Sequence, residues 1–238
     1  MSGPWVIIIL ILISSIPVIA VYIWFRIAKY EYSLTKFLFT LLAGAAAFLP
    51  AIILQDLLSF RILNNRAALF YEFFIRIALT EEASRLLILV LFFWITSRLK
   101  PQASAGPLNF NIVKKASATG LIAGLGFALF ESAIYAASDI SVIFLRIFTA
   151  ALHGACGSRI GAAAVLLRKN PGQSFLRVLT AVAIHGVYNF MVIIPGLPAL
   201  AAIIIALSAF ATSIMLIRGG WSEPSPAEPA IDKPPENL

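Results

Sequence analysis

Long apolar runs constrain this chain more than any other feature of its sequence. Runs of about 20 apolar residues recur along it, and an α-helix needs about this length to cross the hydrocarbon core of a bilayer. Hydrophobic residues make up 61% of the 238 residues and charged residues 12%, against about 45–50% and about 25% in soluble domains. The excess apolar surface must face lipid, which excludes a cytosolic enzyme, a secreted disulfide-stabilised domain and a free nucleic-acid-binding protein.

The runs predict an all-α fold, a polytopic transmembrane helical bundle with about seven spans. We place the spans at residues 5–25, 37–57, 68–96, 116–137, 143–167, 175–194 and 199–217. The first run lacks the basic start and the cleavage site of a signal peptide, so we interpret it as an uncleaved helix. Cys156 is the single cysteine, which excludes an intramolecular disulfide, and we expect it to be a small core residue.

Basic residues concentrate in alternate loops between the predicted spans. The loops rich in them carry Arg26, Lys29, Lys36, Arg98, Lys100, Lys114, Lys115, Arg168, Lys169, Arg177 and Arg218. The intervening loops carry only Arg61, Arg66 and the acidic Asp139. Because cytoplasmic loops are enriched in lysine and arginine, this pattern predicts an N-terminus outside and a C-terminus inside. The net charge of +7 then reflects membrane orientation rather than binding of nucleic acid.

The chain consists of two segments that differ in composition. Residues 1–221 are predicted to form the transmembrane helical domain. Residues 222–238 hold five prolines among acidic residues and almost nothing apolar. Such a segment cannot bury enough apolar surface to fold, so we expect a disordered, proline-rich, acidic cytoplasmic tail.

Several polar and ionisable residues fall inside the predicted spans, where they are costly and usually functional. They are Glu81, Glu82, Arg85, Glu131, His153, Arg159, His185 and Asn189. Both histidines of the chain are among them, and histidine suits proton transfer near neutral pH. From a helical rise of about 1.5 Å per residue, Glu81, His153 and His185 lie near the middle of the bilayer. We therefore expect these helices to present polar groups to one internal cavity.

Local spacing suggests how these groups divide their roles. Glu81 and Arg85 are four residues apart on one helix face, whereas Glu82 points about 100° away from Glu81. We expect one carboxylate to pair with Arg85 and the other to face the cavity. His185 and Asn189 are also four residues apart, which suits two hydrogen-bond donors directed at one oxyanion. In addition, Glu72 is expected to pair with Arg76, and Arg159 to reach the interface or to neutralise a carboxylate.

Four motifs in order along the chain resemble those of PrsW-type intramembrane proteases, relatives of the CAAX-protease and bacteriocin-processing superfamily. Glu81-Glu82-Ala83-Ser84-Arg85 is similar to the EExxK/R element, and Phe127 to Glu131 to the FxxxE element. His153 matches the third motif, and His185 with Asn189 the HxxxN/D motif. The resemblance covers about residues 70–195. Its one departure is Arg85, where PrsW proteins often have lysine.

This resemblance implies an intramembrane endopeptidase of glutamate type, with a single-pass membrane protein as substrate. In bacterial relatives that substrate is typically an anti-sigma factor in envelope stress signalling, so a bacterial or archaeal plasma membrane is expected. The implied roles are Glu81 as base, Glu82 in support, His153 orienting the water or sharing its proton, and His185 with Asn189 stabilising the oxyanion. Glu131 is implied as an acid, a water ligand or a structural residue. Arg85 and Phe127 are expected to support the site.

Three alternatives stay open from the sequence. No cofactor is expected. In one variant of the hydrolase hypothesis, zinc is bound by Glu81, Glu131, His153 and His185, although the chain contains no HExxH motif. An ion- or proton-coupled transporter also uses intramembrane carboxylates and histidines, although we find no inverted repeat or paired broken helices. A non-catalytic membrane scaffold is the third, and the full set of four motifs argues against it.

Overall fold

The computed structural model describes residues 4–30, 32–60, 65–99, 110–135, 143–194 and 196–218, and in these ranges the chain is helical throughout apart from its short connections. The α-helices are α1 Pro4–Ile27, α2 Leu34–Ala46, α3 Phe48–Leu57, α4 Asn65–Phe70, α5 Thr80–Leu99, α6 Phe110–Tyr135, α7 Ile143–Leu166, α8 Pro171–Val192 and α9 Leu197–Arg218. A π-helical segment, Tyr71–Leu79, joins α4 to α5. The predicted all-α bundle is confirmed. The predicted tail, residues 222–238, lies outside the described residues.

Four helical stretches are long and apolar enough to cross a membrane: Leu34–Leu57, Phe110–Ile134, Pro171–Val192 and Leu197–Arg218. Large apolar side chains face outward along the bundle, such as Leu42, Leu12 and Met215, with exposed fractions of 64%, 61% and 68%. Because an exposed apolar surface of this extent is unfavourable in water, it fits a lipid environment. The total of seven spans and the orientation of the termini stay predictions.

Helix α7 lies at the centre of the bundle, in contact with α1, α5, α6, α8 and α9. Its closest neighbour is α6, because glycines face each other across their interface. A Cβ added at Gly120 would overlap the carbonyl oxygen of Gly157, and one at Gly124 would overlap the carbonyl oxygen of His153. Such small residues allow helix backbones to approach closely in lipid. The approach fixes the backbone at His153 against α6.

The predicted span 37–57 is broken at Ala47 into α2 and α3. Pro50 lies in the first turn of α3. Proline has no N–H to bond the carbonyl four residues earlier, and its ring crowds that carbonyl, which weakens the helix at this point and favours a break. The break redirects α3, and Gln55 on α3 reaches Glu81.

The predicted span 68–96 is also not one regular helix. Its first part is α4 and the π-helical segment, and regular α-helix resumes only at Thr80. The Thr80 hydroxyl donates to the carbonyls of Arg76 at 2.6 Å and Ile77 at 3.0 Å, which provides partners for carbonyls at the end of the wider turns. π-Helical turns are rare and occur frequently at functional sites. Here the segment ends directly before Glu81 and Glu82.

Candidate active site

Four helices bring the ionisable residues of the interior into one cluster. Helix α5 contributes Glu81, Glu82 and Arg85, α6 contributes Glu131, α7 contributes His153, and α8 contributes His185. Glu82 is fully buried, and Arg85, His153, His185 and Glu81 have exposed fractions of 1%, 1%, 2% and 6%. Burial of so many ionisable groups is favourable only when they are paired and hydrogen-bonded.

Arg85 is the centre of this cluster. Its Nη2 donates to Glu81 Oε2 at 3.2 Å and to His153 Nδ1 at 2.9 Å, and its Nη1 lies 2.9 Å from Glu82 Oε2 and 2.8 Å from Oε1. The expectation that Arg85 pairs with only one carboxylate is therefore wrong. The guanidinium group is a planar fork long enough to reach both acids, although these point about 100° apart around the helix.

Both ring nitrogens of His153 have partners within the protein. Since arginine has only donors, Nδ1 accepts the bond from Arg85, and we assign the proton of the neutral ring to Nε2. That nitrogen donates to Glu131 Oε2 at 2.7 Å. Glu131 also lies 3.3 Å from Arg146 Nη1. His153 therefore links Arg85 on one side to Glu131 on the other.

His185 is held differently from His153. Its Nδ1 lies 2.8 Å from Glu82 Oε1. A carboxylate accepts, so Nδ1 carries the proton and Nε2 of the neutral ring has a lone pair. This Nε2 lies 3.7 Å from Glu81 Oε2, and His185 lines the same cavity as Glu81. His185 thus presents an acceptor to the cavity beside a carboxylate.

The cavity between these helices has a volume of about 290 Å³. Glu81, Glu131, His153, His185 and Asn189 line it, whereas Glu82 and Arg85 lie behind its wall. Apolar side chains of the π-helical segment and of the end of α8 complete the lining: Phe73, Ile77, Val192 and Ile193. Of the two adjacent glutamates, the structure therefore gives only Glu81 access to the cavity.

Polar residues of the π-helical segment and of α3 also line the cavity. Arg76 Nη1 bonds Glu72 Oε1 at 2.6 Å, which confirms the predicted pair, and Arg76 Nε donates to the carbonyl of Gln55 at 3.0 Å. The Gln55 side chain in turn donates to Glu81 Oε1 at 3.3 Å. Sequence reasoning missed Gln55, although a lone amide in an apolar span was a visible signal.

Phe127 packs against the charged cluster. Its ring lies 4.4 Å from the Arg85 guanidinium carbon and 5.2 Å, between ring centroids, from His153. An aromatic face attracts a cation, and a desolvated contact of this kind contributes up to about 2 kcal/mol. The FxxxE element therefore places the Phe127 ring against Arg85 and the Glu131 carboxylate within hydrogen-bond distance of His153. Arg146, the other partner of Glu131, was not anticipated from the sequence.

Arg159 lies outside the cluster and does not have the second of its two expected roles, the neutralisation of a carboxylate. Its guanidinium donates to the Ala155 carbonyl at 2.9 Å, to Ser213 Oγ at 3.0 Å and to Thr212 Oγ1 at 3.0 Å. Among the described residues no carboxylate pairs with it. Hydroxyls of α9 lie within its reach, so it joins α7 to α9 rather than neutralising an acid. Cys156 is buried beside it, as predicted.

A divalent cation fits part of this cluster. Glu81, His153 and His185 each offer one donor atom, and these atoms lie within 4.8 Å of one another. Two imidazoles and a carboxylate form a ligand set of catalytic zinc sites, and the contact from His185 to Glu82 is the kind that orients a metal-bound histidine. Glu131, the fourth residue of the predicted zinc set, instead accepts from His153. His153 would have to release Arg85 or Glu131 to bind a cation.

Comparison with known proteins agrees with this geometry. A family model described as PrsW family intramembrane metalloprotease matches residues 33–217, a range that includes every helix contributing to the cluster. No curated protein and no solved structure gives a significant match. The chain is an integral membrane protein with the peptidase domain of this family. The expected resemblance to PrsW-type proteases is thereby confirmed, and the chain belongs to the PrsW family of intramembrane proteases.

Proposed function

We propose that this protein hydrolyses a peptide bond of a single-pass membrane protein, with Glu81 as the general base that activates water. The observation that carries the proposal is the approach of Glu81 Oε2 to His185 Nε2, 3.7 Å apart in the wall of one cavity. A water molecule between two such acceptors can donate both of its protons and direct a lone pair at a carbonyl carbon.

The charges around Glu81 support its role as base. Glu81 and Glu82 together carry two negative charges when ionised, and both contact the single positive charge of Arg85, which leaves 2 − 1 = 1 charge to balance. A proton taken from water neutralises this remaining negative charge. Gln55 holds the other oxygen of Glu81 in place, so the carboxylate is oriented before a substrate enters.

The remaining residues serve the later steps. The water oxygen bonds to the carbonyl carbon while one water proton passes to Glu81 and from there to His185 Nε2, which lies 3.7 Å from Glu81 Oε2. Protonated His185 and the amide of Asn189 then donate to the oxyanion. When the carbon–nitrogen bond breaks, the leaving amine takes the proton, and the products are a carboxylate and an amine. The Glu131–His153 pair, which also lines the cavity, positions Arg85 through the bond that His153 Nδ1 accepts from it.

Zinc, when bound to Glu81, His153 and His185, would supply Lewis acidity at the same cavity. We propose that the protein's own side chains suffice. The guanidinium of Arg85 already places a positive charge against Glu81, Glu82 and His153 at distances of 3.2, 2.8 and 2.9 Å. We therefore expect cleavage by the purified protein to be unchanged by o-phenanthroline. Loss of cleavage with chelator and its recovery with zinc would instead assign the reaction to the metal.

The shape of the cavity supports a membrane-anchored substrate. Its lining is polar around the acids and imidazoles and apolar along Phe73, Ile77, Val192 and Ile193. An extended peptide could place its carbonyl at the polar end and apolar side chains along the rest. We propose that the substrate is a regulator such as a membrane-anchored anti-sigma factor in a bacterial or archaeal plasma membrane, as the resemblance in the motifs implies.

The test compares membrane-protein fragments in cells that carry the wild type or Glu81→Gln. The substitution keeps the shape of the side chain and one of its two acceptor oxygens but removes its basicity. Asp56→Asn is the matched control, because it makes the same chemical change at an exposed carboxyl on α3. We expect fragments with the wild type and the control and none with Glu81→Gln, at equal protein levels in the membrane. Equal fragments from all three would end the proposal.

A further inference from the structure

A second cavity lies at the end of the bundle where α1 and α9 end and α2 and α6 begin. We call it the basic cavity. Its volume is about 750 Å³, within the range of small-molecule sites. Its lining includes five cationic residues: Arg26, Lys36, Lys114, Lys115 and Arg218. None of them belongs to the active site, and none is part of the four motifs.

Four of the five cations of the basic cavity lack, among the described residues, the carboxylate partners that the cations of the interior have. Among the described residues, no carboxylate lies within salt-bridge distance of Arg26, Lys114, Lys115 or Arg218. Glu31, between Tyr30 and Tyr32, lies outside the described residues, and the five cations exceed it by four charges. Five like charges converging on one cavity repel each other, so an anion bound there stabilises the arrangement.

Two helix N-termini and two helix C-termini meet at the basic cavity, and their opposite partial charges offset each other, so the preference for an anion comes from the cationic side chains. Helix α2 begins at the cavity, with Ser33 as its N-terminal cap, and α6 begins near Asn111, which is in the lining. The N-terminus of a helix carries a partial positive charge. The Tyr30 hydroxyl donates to the Ile217 carbonyl at 3.1 Å and so joins the ends of α1 and α9 across the cavity wall.

The surroundings of the basic cavity favour a lipid over a soluble anion. Ile27 and Leu34, next to the lining residues Arg26 and Ser33, have exposed fractions of 76% and 53%. These positions terminate helices whose outer faces are apolar. An apolar surface directly beside a cluster of cations matches a molecule with an anionic headgroup and acyl chains. Basic pockets between transmembrane helices bind anionic lipid headgroups for this reason.

We propose that the basic cavity binds the headgroup of an anionic phospholipid, with Lys114, Lys115 and Arg218 contacting the phosphodiester and the acyl chains lying along Ile27 and Leu34. The site is separate from the active-site cavity, so the proposal does not depend on the proteolytic activity.

The experiment measures lipid affinity of the purified full-length protein in detergent, by native mass spectrometry and by thermal unfolding against lipid concentration. The probes are phosphatidylglycerol, phosphatidylcholine and inorganic phosphate. We expect phosphatidylglycerol to bind roughly 100-fold more tightly than phosphatidylcholine, since each Lys or Arg contributes about a factor of five near anionic lipid. Equal affinity for the two lipids, or equal protection by free phosphate, would overturn the proposal.

Two matched triple variants test whether the cations of the basic cavity cause the preference for phosphatidylglycerol. K114Q/K115Q/R218Q removes three charges from the basic cavity, and R168Q/K169Q/R177Q removes three charges at the ends of α7 and α8, outside its lining. We expect only the first to lose the preference for phosphatidylglycerol. Lys115 is exposed, so K115Q alone is the fallback should the triple variant misfold, with a loss of about fivefold expected. Equal losses in both triple variants would show a general surface effect and contradict the assignment.

The acidic tail is the competing occupant of the basic cavity. Residues 222–238 carry Glu223, Glu228, Asp232 and Glu236 against one cation, Lys233, and they follow Arg218 closely in sequence. The variant E223Q/E228Q/D232N/E236Q keeps the full chain and removes this charge. We expect its affinity for phosphatidylglycerol to equal that of the wild type. Binding of the lipid only in this variant would assign the cavity to the tail instead.

Discussion

The active-site cavity and the basic cavity differ in how their charged residues are paired. In the active-site cavity, Arg85 is buried against two carboxylates and an imidazole. In the basic cavity, five cations line a larger space at the end of the bundle. The difference follows from depth, because an unpaired charge inside a bilayer is far more costly than one at its surface. The charges of the interior are therefore paired with each other, whereas Lys114, Lys115 and Arg218 at the end of the bundle have no carboxylate partner among the described residues.

Removing the reactive groups of the interior should have the largest effect. We expect Glu81→Gln and His185→Ala each to lower the cleavage rate by about 10²- to 10⁴-fold, since general acid–base groups contribute this much. The measurement is the turnover of a fluorogenic peptide by the purified protein in vesicles, with Asp56→Asn as control. A loss below about tenfold in either variant would show that the residue does not act on the reacting water.

Arg85 should be the residue on which folding of the interior depends most. We expect Arg85→Ala to lower the free energy of unfolding by about 3–5 kcal/mol, because two buried carboxylates lose their cation. Arg85→Lys should lose less, since the charge stays but the fork that reaches both acids does not. Unfolding in detergent, followed by circular dichroism, measures both. Wild-type stability of Arg85→Ala would show that Glu81 and Glu82 are not held as a charged pair.

Arg159 sharpens the comparison, because it is a half-buried arginine without a carboxylate partner among the described residues. We expect Arg159→Gln to cost about 1–3 kcal/mol, the effect of losing hydrogen bonds from a charged donor. Turnover per folded molecule should not change, since Arg159 does not line the active-site cavity. Should turnover fall while stability stays constant, Arg159 would belong to the catalytic machinery.

Among the residues that line the active-site cavity, Gln55 should have the smallest effect on turnover. Gln55→Leu removes the donor to Glu81 Oε1 but leaves Arg85 in place. We expect turnover to fall roughly tenfold, the equivalent of one hydrogen bond to a charged group. Gln55→Glu is the informative counterpart, because it places a third carboxylate beside Glu81 and should lower turnover further. Wild-type rates in both variants would remove Gln55 from the site.

The sequence predicts the fold class and the family well because both depend on local patterns. Apolar runs of spanning length predict helices wherever the chain must satisfy its backbone in lipid. The four motifs are identified residue by residue. Three of them fall on α6, α7 and α8, and the predicted bounds of these helices lie within six residues of the observed ones.

Irregular helices were harder to predict. Pro50 was visible as the cause of the break at Ala47, but an apolar run hides the break in hydropathy. The π-helical segment before Glu81 has no comparable signal, since its residues also suit a regular helix.

Side-chain geometry could not be predicted either. Helical spacing places Arg85 on the face of Glu81, but it does not show that a long guanidinium fork also reaches Glu82 and His153. The partners of His153 and Glu131 depend on how closely α6 and α7 approach, which glycine spacing indicates but does not measure. Gln55 comes from α3, distant in sequence from the motifs, so no spacing rule connects it to Glu81.

The central claim is that Glu81 and His185 act on one water molecule, and a double-mutant cycle on turnover tests it most directly. Residues that act as a unit are strongly non-additive. We predict that Glu81→Gln/His185→Ala loses about as much activity as the more damaging single variant. Losses that multiply in the double variant would show that the two residues act independently, and the shared-water mechanism would be contradicted.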